Sequence, residues 1–185
     1  VDFAIVTDLV GARLTDAWVG YHRFRFFKMW FGARTIPFSR SAILSSADAA
    51  MSERSRGSSA MAPFRQVGLT IGGDYDLLGL SWRVGAYNGF DRGLTFFSGI
   101  ENASGLNGNQ FHGISSVGRL QIQPMGKLGP SVHDIERGKF RLSLGGGGYY
   151  NDGGGVEGMG LSADLHIKVA GLHFLGEFIQ DSASP

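Results

Sequence analysis

The chain of 185 residues carries 17 basic and 16 acidic side chains and five histidines, so its net charge of +1 gives no electrostatic footprint for nucleic acid. It has no cysteine, which excludes disulfides and thiolate metal sites and leaves the redox compartment open. Thirty glycines, with three tryptophans, five tyrosines and fourteen phenylalanines, point to turns and close strand contacts, and no uninterrupted apolar run reaches the length of a spanning helix.

One domain over 1–185 is sufficient for this length. The opening VDFAIVTDLV lacks a basic segment, an apolar core and a cleavage site, so it does not read as a signal peptide; the expectation is that one was removed or that the chain is a fragment. In chain order, period-two alternation marks nine candidate strands at 2–9, 14–22, 26–35, 65–73, 79–88, 115–123, 139–150, 159–169 and 172–180. In the third, Phe27, Met29, Phe31 and Ala33 alternate with Lys28, Trp30, Gly32 and Arg34. In the fourth, Val67, Leu69 and Ile71 alternate with Gly68, Thr70 and Gly72, and in the fifth Leu80, Trp82, Val84 and Ala86 face away from Ser81, Arg83, Gly85 and Tyr87. The seventh sets Phe140, Leu142 and Leu144 against Arg141, Ser143 and Gly145 and runs through the glycines at 145–148, where close approach or bending is permitted. In the eighth, LSADLHIKV at 161–169 interleaves an unbroken apolar row with Ser162, Asp164, His166 and Lys168.

Most of these segments run about 8 to 11 residues, close to what a tilted membrane strand needs and longer than ordinary strands. Long connections at 36–64 and 89–114 fall on one edge by strand parity, and tight ones at 22–25, 74–78 and 170–171 fall on the other, where 124–138 is the exception. That asymmetry is the one found in bacterial outer-membrane barrels. The stretch 41–55 has the composition for a short helical turn, and no other helix is expected.

At 32–56 the sequence reads GARTIPFSRSAILSSADAAMSERSR, followed by APFRQVGLTIGGDY and WRVGAYNGFDRG; HFLGEFIQ lies near the end and LTDAWVGY near the start. In this order the motifs resemble the phosphate-selective porin O and P family of Gram-negative outer membranes. A glycine-ending strand leads to a Pro-Phe pair, a Ser-rich loop, a Glu-Arg pair, a basic strand start, and a strand closing on an Asn-Gly loop. The resemblance covers most of the chain. It implies a sixteen-stranded antiparallel transmembrane β-barrel, trimeric, which conducts small anions such as phosphate through a lumen narrowed by inward-folded loops. Nine strands are too few for that and the chain ends SASP, so the expectation is a portion of a longer protein.

If the apolar set faces lipid, the other set faces a lumen. Lys28, Arg34, Arg65, Arg83, Arg119, Arg141 and Lys168 then fall on its wall or rim, and Arg54 and Arg56 lie in a long loop able to fold inward. Basic rings favour anions by offsetting dehydration, although any one of these side chains could equally be a solvated lining charge. A two-residue turn at Ala170 and Gly171 sets Val169 opposite Leu172, Ile167 opposite Phe174, Lys168 opposite His173 and Asp164 opposite Glu177. The two facing carboxylates need compensation, for which Arg141, placed near Asp164 or His166, is the candidate.

Asp164, His166, His173 and Glu177 are suitable ligand types without a characteristic metal spacing, so no metal and no cofactor is expected. Ser162 and His166 share a face but stand roughly 13 Å apart along a strand, too far for proton transfer, and no enzyme is expected. Trp18, Tyr21, Trp30, Phe140, Tyr149, Tyr150 and Phe178 are assigned to interfacial girdles. The bland alternative is a soluble sandwich, and strand length and loop asymmetry count against it. The reading is thus an outer-membrane anion porin whose partners are membrane lipids, lipopolysaccharide, small anions and copies of itself. The alternative from another class is a structural barrel anchoring envelope proteins without selective transport.

Overall fold

The computed structural model describes residues 1–8, 13–44, 65–89, 113–129, 132–134, 137–153 and 156–184. The strands are β1 (Asp2–Asp8), β2 (Arg13–Tyr21), β3 (Lys28–Thr35), β4 (Arg65–Tyr75), β5 (Leu80–Asn88), β6 (Gly113–Ile122), β7 (Arg141–Gly153), β8 (Val156–Val169) and β9 (Leu172–Ser184). Each pairs antiparallel with the next to form one nine-stranded sheet in sequence order, and β1 and β9 are not paired with each other. The only helices among the described residues are α1 (Arg40–Ile43), capped by the Ser39 hydroxyl, and a 3-10 turn at Leu77–Gly79.

The alternation read from the sequence matches the strand faces. Phe31, Leu161 and Phe178 on the apolar face are 65%, 62% and 63% exposed, whereas Asp164 and Lys168 on the polar face keep 5% and 2%. This reverses the polarity of a soluble sheet, in which the apolar face is the covered one. The turn at Ala170 and Gly171 has positive φ at both positions, as a twist-compatible two-residue hairpin needs. It sets the expected register of Val169 with Leu172, Lys168 with His173 and Asp164 with Glu177.

Several boundaries move. β4 runs to Tyr75, β7 extends to Gly153, β8 begins at Val156 and β9 ends at Ser184, so the last hairpins are longer than the apolar alternation alone indicated. Many of the extra residues, including Asn151, Glu157 and Asp181, are polar, and ladder pairing rather than apolar patterning holds them. The helical turn lies at 40–43, at the start of the predicted 41–55, because Ser39 supplies the cap; residues 45–55 lie outside the described residues.

Two connections fold back over the polar face. From the β3–β4 connection, Ile36, Phe38 and Ala42 pack on Tyr87, Val117 and Tyr149, with Ile179 beside them, in a small apolar core. From the β6–β7 connection, Leu128, Val132 and Asp134 are buried against β7 and β8. The aromatic girdle is corrected accordingly. Trp30 and Tyr149 are buried on the polar face and Trp18 lies there under the Arg34 guanidinium, while Tyr21, Phe140, Tyr150 and Phe178 are exposed. Tyr149 turns inward because Phe38 offers an edge-to-face partner, with ring centroids 5.0 Å apart.

The glycine run in β7 makes room for these contacts. A Cβ at Gly147 would collide with the Phe38 carbonyl, and one at Gly145 with the Arg119 and Asp164 side chains. A Cβ at Gly146, one residue along, would meet nothing closer than the Ser162 carbonyl at 3.5 Å. Gly147→Ala is therefore expected to lower stability by about 2 kcal/mol, and Gly146→Ala to change it by less than about 0.5 kcal/mol, in urea unfolding followed by tryptophan fluorescence.

Candidate functional site

The polar face divides into two halves that use their charges differently. Over β6–β9 every cation is tied to an inward-folded segment or a carboxylate. Arg119 Nη2 donates to Asp164 Oδ2 at 2.5 Å and its Nη1 to the Phe38 carbonyl at 3.0 Å, an acceptor that also takes the Ser162 hydroxyl at 2.9 Å. Glu177 accepts from the Arg40 backbone N–H at 2.6 Å and from the Ser41 hydroxyl at 2.5 Å. Lys168 Nζ donates to the Leu128 carbonyl at 2.8 Å, and His166 Nε2 lies 3.3 Å from the Val132 carbonyl. Arg141 binds Asp134, which also accepts the Gly171 N–H at 2.8 Å, and the Tyr149 hydroxyl donates to Asp181.

The compensation expected from Arg141 is therefore supplied by Arg119. Arg141 stands opposite Lys168 in the β7–β8 ladder, two pairs from His166 and beyond reach of Asp164, and turns to Asp134 instead. Asp164 and Glu177 do face each other, yet each is neutralised from a different direction: Asp164 by a strand cation, Glu177 by the N–H groups and hydroxyl of the 39–41 segment.

Over β2–β5 the described cations meet strand carboxylates and aromatic rings. Lys28 pairs with Asp74 at 2.6 Å, Arg83 approaches Asp74 only to 3.6 Å, and Arg65 at the rim meets Asp16 at 3.3 Å. The Arg34 guanidinium lies 4.6 Å from the Trp30 ring centroid and 5.7 Å from that of Trp18, and the Arg83 guanidinium lies 5.2 Å from Trp30. Thr70 on β4 and Tyr87 on β5 share a hydroxyl contact of 2.6 Å within this half. Among the described residues, Lys28, Arg34, Arg65 and Arg83 stand here against Asp16 and Asp74, an excess of two positive charges. In the other half Arg40, Arg119, Arg141 and Lys168 balance Asp134, Asp164, Glu177 and Asp181. Arg54 and Arg56 lie outside the described residues.

Outside the strands, Asp76 joins Arg25 at 2.6 Å and Lys127 at 3.2 Å on the tight-turn edge. The hydrogen bond from Arg25, then that from Lys127, holds the Asp76 carboxyl below the usual carboxylate range, and the bond to Asp76 raises Arg25. Burial lowers Arg40 on α1, with Asp164 partly offsetting that effect.

Pattern reading recovered the cations and missed what they hold. Phe38 and Asp134 became meaningful only when the connections came back onto the sheet, and Trp30 only when Arg34 and Arg83 were placed on it; the signal for Phe38 was an apolar Ile-Pro-Phe in the long loop. Among the described residues no group of three His, Asp or Glu side chains could hold a metal ion. No family model matches the chain, and no curated protein or solved structure is significantly similar to it.

Removing either Arg119 or Asp164 alone leaves a buried charge unanswered, at a cost of about 3–5 kcal/mol. Arg119→Met and Asp164→Leu are each expected to destabilise by that amount and their combination by less than either one. A double-mutant cycle in urea measures the difference.

Proposed function

We propose that this sheet is a section of an outer-membrane β-barrel wall and that the protein passes small anions by diffusion through a lumen narrowed by its own loops. One observation carries the reading: the sheet exposes its apolar face and covers its polar one. A sheet of this polarity is stable where the surroundings of the apolar face are themselves apolar, which is the condition of a barrel wall in lipid. Strand length supports it, since β4, β6, β7, β8 and β9 have 11, 10, 13, 14 and 13 residues and a tilted spanning strand needs about 9–11. Of the connections, the long ones at 36–64 and after Asn88 lie on one edge and the short ones at 22–27, 76–79 and 170–171 on the other, as in such barrels, while the long 123–140 connection and the short ones at 9–12 and 154–155 depart from that pattern.

The positive excess over β2–β5 supports anions as the solute. Cations fixed on a wall replace part of an anion's hydration while holding it weakly enough to release it, and no covalent chemistry is needed. Lipid and lipopolysaccharide are the partners of the apolar face. Assembly as a trimer and phosphate as the preferred solute follow from the porin resemblance and belong to the same proposal. A second reading, a barrel that anchors envelope proteins without selective transport, draws support from the β6–β9 half, where charges are balanced and the face is filled.

Arginine in place of an exposed apolar residue separates a lipid-facing wall from a soluble surface. Phe31→Arg and Leu161→Arg are each expected to cost about 2–4 kcal/mol of insertion if their positions lie near the bilayer midplane. The folded fraction in phospholipid vesicles, read by heat-modifiable migration on gels, measures this; unchanged folding in vesicles sinks the membrane reading.

In planar bilayers under a KCl gradient, the reversal potential is expected to shift toward the chloride equilibrium value. Arg83→Ala is expected to reduce that shift, while Arg119→Ala reduces the yield of folded protein, because Arg119 is bound to Asp164 and Phe38. Absence of current together with copurifying envelope proteins points to the anchor.

A further inference from the structure

Three histidines meet where the β6–β7 connection lies on the polar face. His166 of β8 is fully buried, with Nε2 3.3 Å from the Val132 carbonyl and Nδ1 buried without a hydrogen-bond partner. A carbonyl only accepts, so the neutral ring carries its proton on Nε2 and turns a bare Nδ1 to the interior. One residue along the connection, His133 lies edge-to-face against His173 of β9, with ring centroids 5.1 Å apart. Both of those rings are exposed. The same stretch is tied down on either side, by Lys168 at the Leu128 carbonyl and by Asp134, which takes Arg141 and the Gly171 N–H.

The charges around the three rings suit neutral histidine. On β8, Asp164 and Lys168 stand two residues to either side of His166. From β7, Ser143 pairs with His166 and Arg141 with Lys168; from β9, Leu175 pairs with His166, His173 with Lys168 and Glu177 with Asp164. Arg40 of α1 adds positive charge at His166, and Arg137 of the connection lies against Gly171. Each of the described carboxylates here is already engaged: Asp134 by Arg141, Asp164 by Arg119, and Glu177 by the Arg40 N–H and the Ser41 hydroxyl. Imidazolium charges would therefore add to Lys168, Arg141 and Arg40 with no described acid left to take them.

We propose that the 132–134 stretch is an acid-released latch, which sits on β7–β9 while His133, His166 and His173 are neutral and lifts from the polar face when they take up protons. Release depends only on these contacts; its effect on a passage through the lumen rests on the porin reading. An imidazole in water takes its second proton near about pH 6.5. At His166 that proton belongs on Nδ1, where the seated structure offers neither water nor an acceptor, so it is taken up in the lifted state. The lifted state then binds more protons than the seated one, and seating is fully favoured above about pH 6.5 and lost as the pH falls. One such histidine moves the equilibrium by up to about thirtyfold at about pH 5, and repulsion within the exposed pair adds to it. Release driven by Asp134 would instead come in the carboxylate range, near about pH 4.

The chain has no cysteine, so a single introduced thiol reports alone. Ser143→Cys places one fully buried beside His166, at an oxygen with no hydrogen bond to lose. Its rate of reaction with a dipyridyl disulfide, which stays reactive in acid, is measured on the folded full-length protein in detergent from about pH 7.5 to about pH 4.5. The rate is taken relative to that of Lys139→Cys, an exposed position, and bilayer recordings cover the same range. The relative rate is expected to rise about tenfold or more, with a midpoint near about pH 6. His166→Gln keeps an amide donor for the Val132 carbonyl but takes no proton, and is expected to remove most of the rise. His133→Gln and His173→Gln are each expected to move the midpoint to lower pH. A pH profile unchanged when all three histidines are replaced overturns the latch, as does a rise that comes only near about pH 4. If His166→Gln fails to fold, the two exposed replacements decide, and unchanged midpoints in both overturn the proposal. Channel current without any acid exposure of the thiol overturns the latch and leaves the porin reading intact. Acid exposure without current at any pH upholds the latch and overturns the porin reading.

Discussion

Every other feature of this sheet depends on one constraint: a strand face removed from water must have its polar groups answered inside the protein. The inner row of β8 states the constraint and its solution. Ser162 and Asp164 are answered by the Phe38 carbonyl and the Arg119 guanidinium, His166 by the Val132 carbonyl and Lys168 by the Leu128 carbonyl. Two segments far apart in sequence thus supply, mostly through backbone carbonyls, what a soluble strand would take from solvent. Backbone groups suit this role because their positions are fixed by the chain, and a segment seated through them need not bring many long polar side chains of its own.

That solution explains the two halves of the face. Where the inward segments lie, over β6–β9, the charges are matched and the glycines of β7 admit the Phe38 carbonyl and the Arg119–Asp164 pair. Over β2–β5, cations outnumber carboxylates among the described residues, and two guanidiniums lie against indoles. The nine basic residues picked out by the sequence therefore do not act alike: among the described residues one half of the polar face is charge-balanced and the other carries an excess of cations. Net charge near zero for the whole chain conceals this, because it averages over halves whose sums differ.

The period-two alternation was legible because it is local: strand geometry sends neighbours to opposite faces, and no distant residue can change that. The Ala170–Gly171 turn was legible for the same reason, and with it the facing of Asp164 and Glu177. Arg141 shows where locality ends. Parity put it on the correct face, but its partner was decided by the β7–β8 register and by Asp134 arriving from the 124–138 connection, neither of which periodicity encodes. Trp30 fails similarly: an aromatic near a strand end resembles a girdle residue until the arginines above it are placed.

The facing carboxylates of Asp164 and Glu177 are the sharpest consequence. Two acids opposite each other in adjacent strands repel, and a sheet free to choose would separate them. Here each is taken up by a different partner: Asp164 by the strand cation Arg119, which also holds the Phe38 carbonyl, and Glu177 by the N–H groups that follow at Arg40 and Ser41. Arg119 answers Asp164 from within the sheet, and the 39–41 segment answers Glu177, so the seated segment removes the second of the two facing charges. A local fault in the strand pairing thereby becomes an anchoring point for the loop on the β8–β9 part of the face.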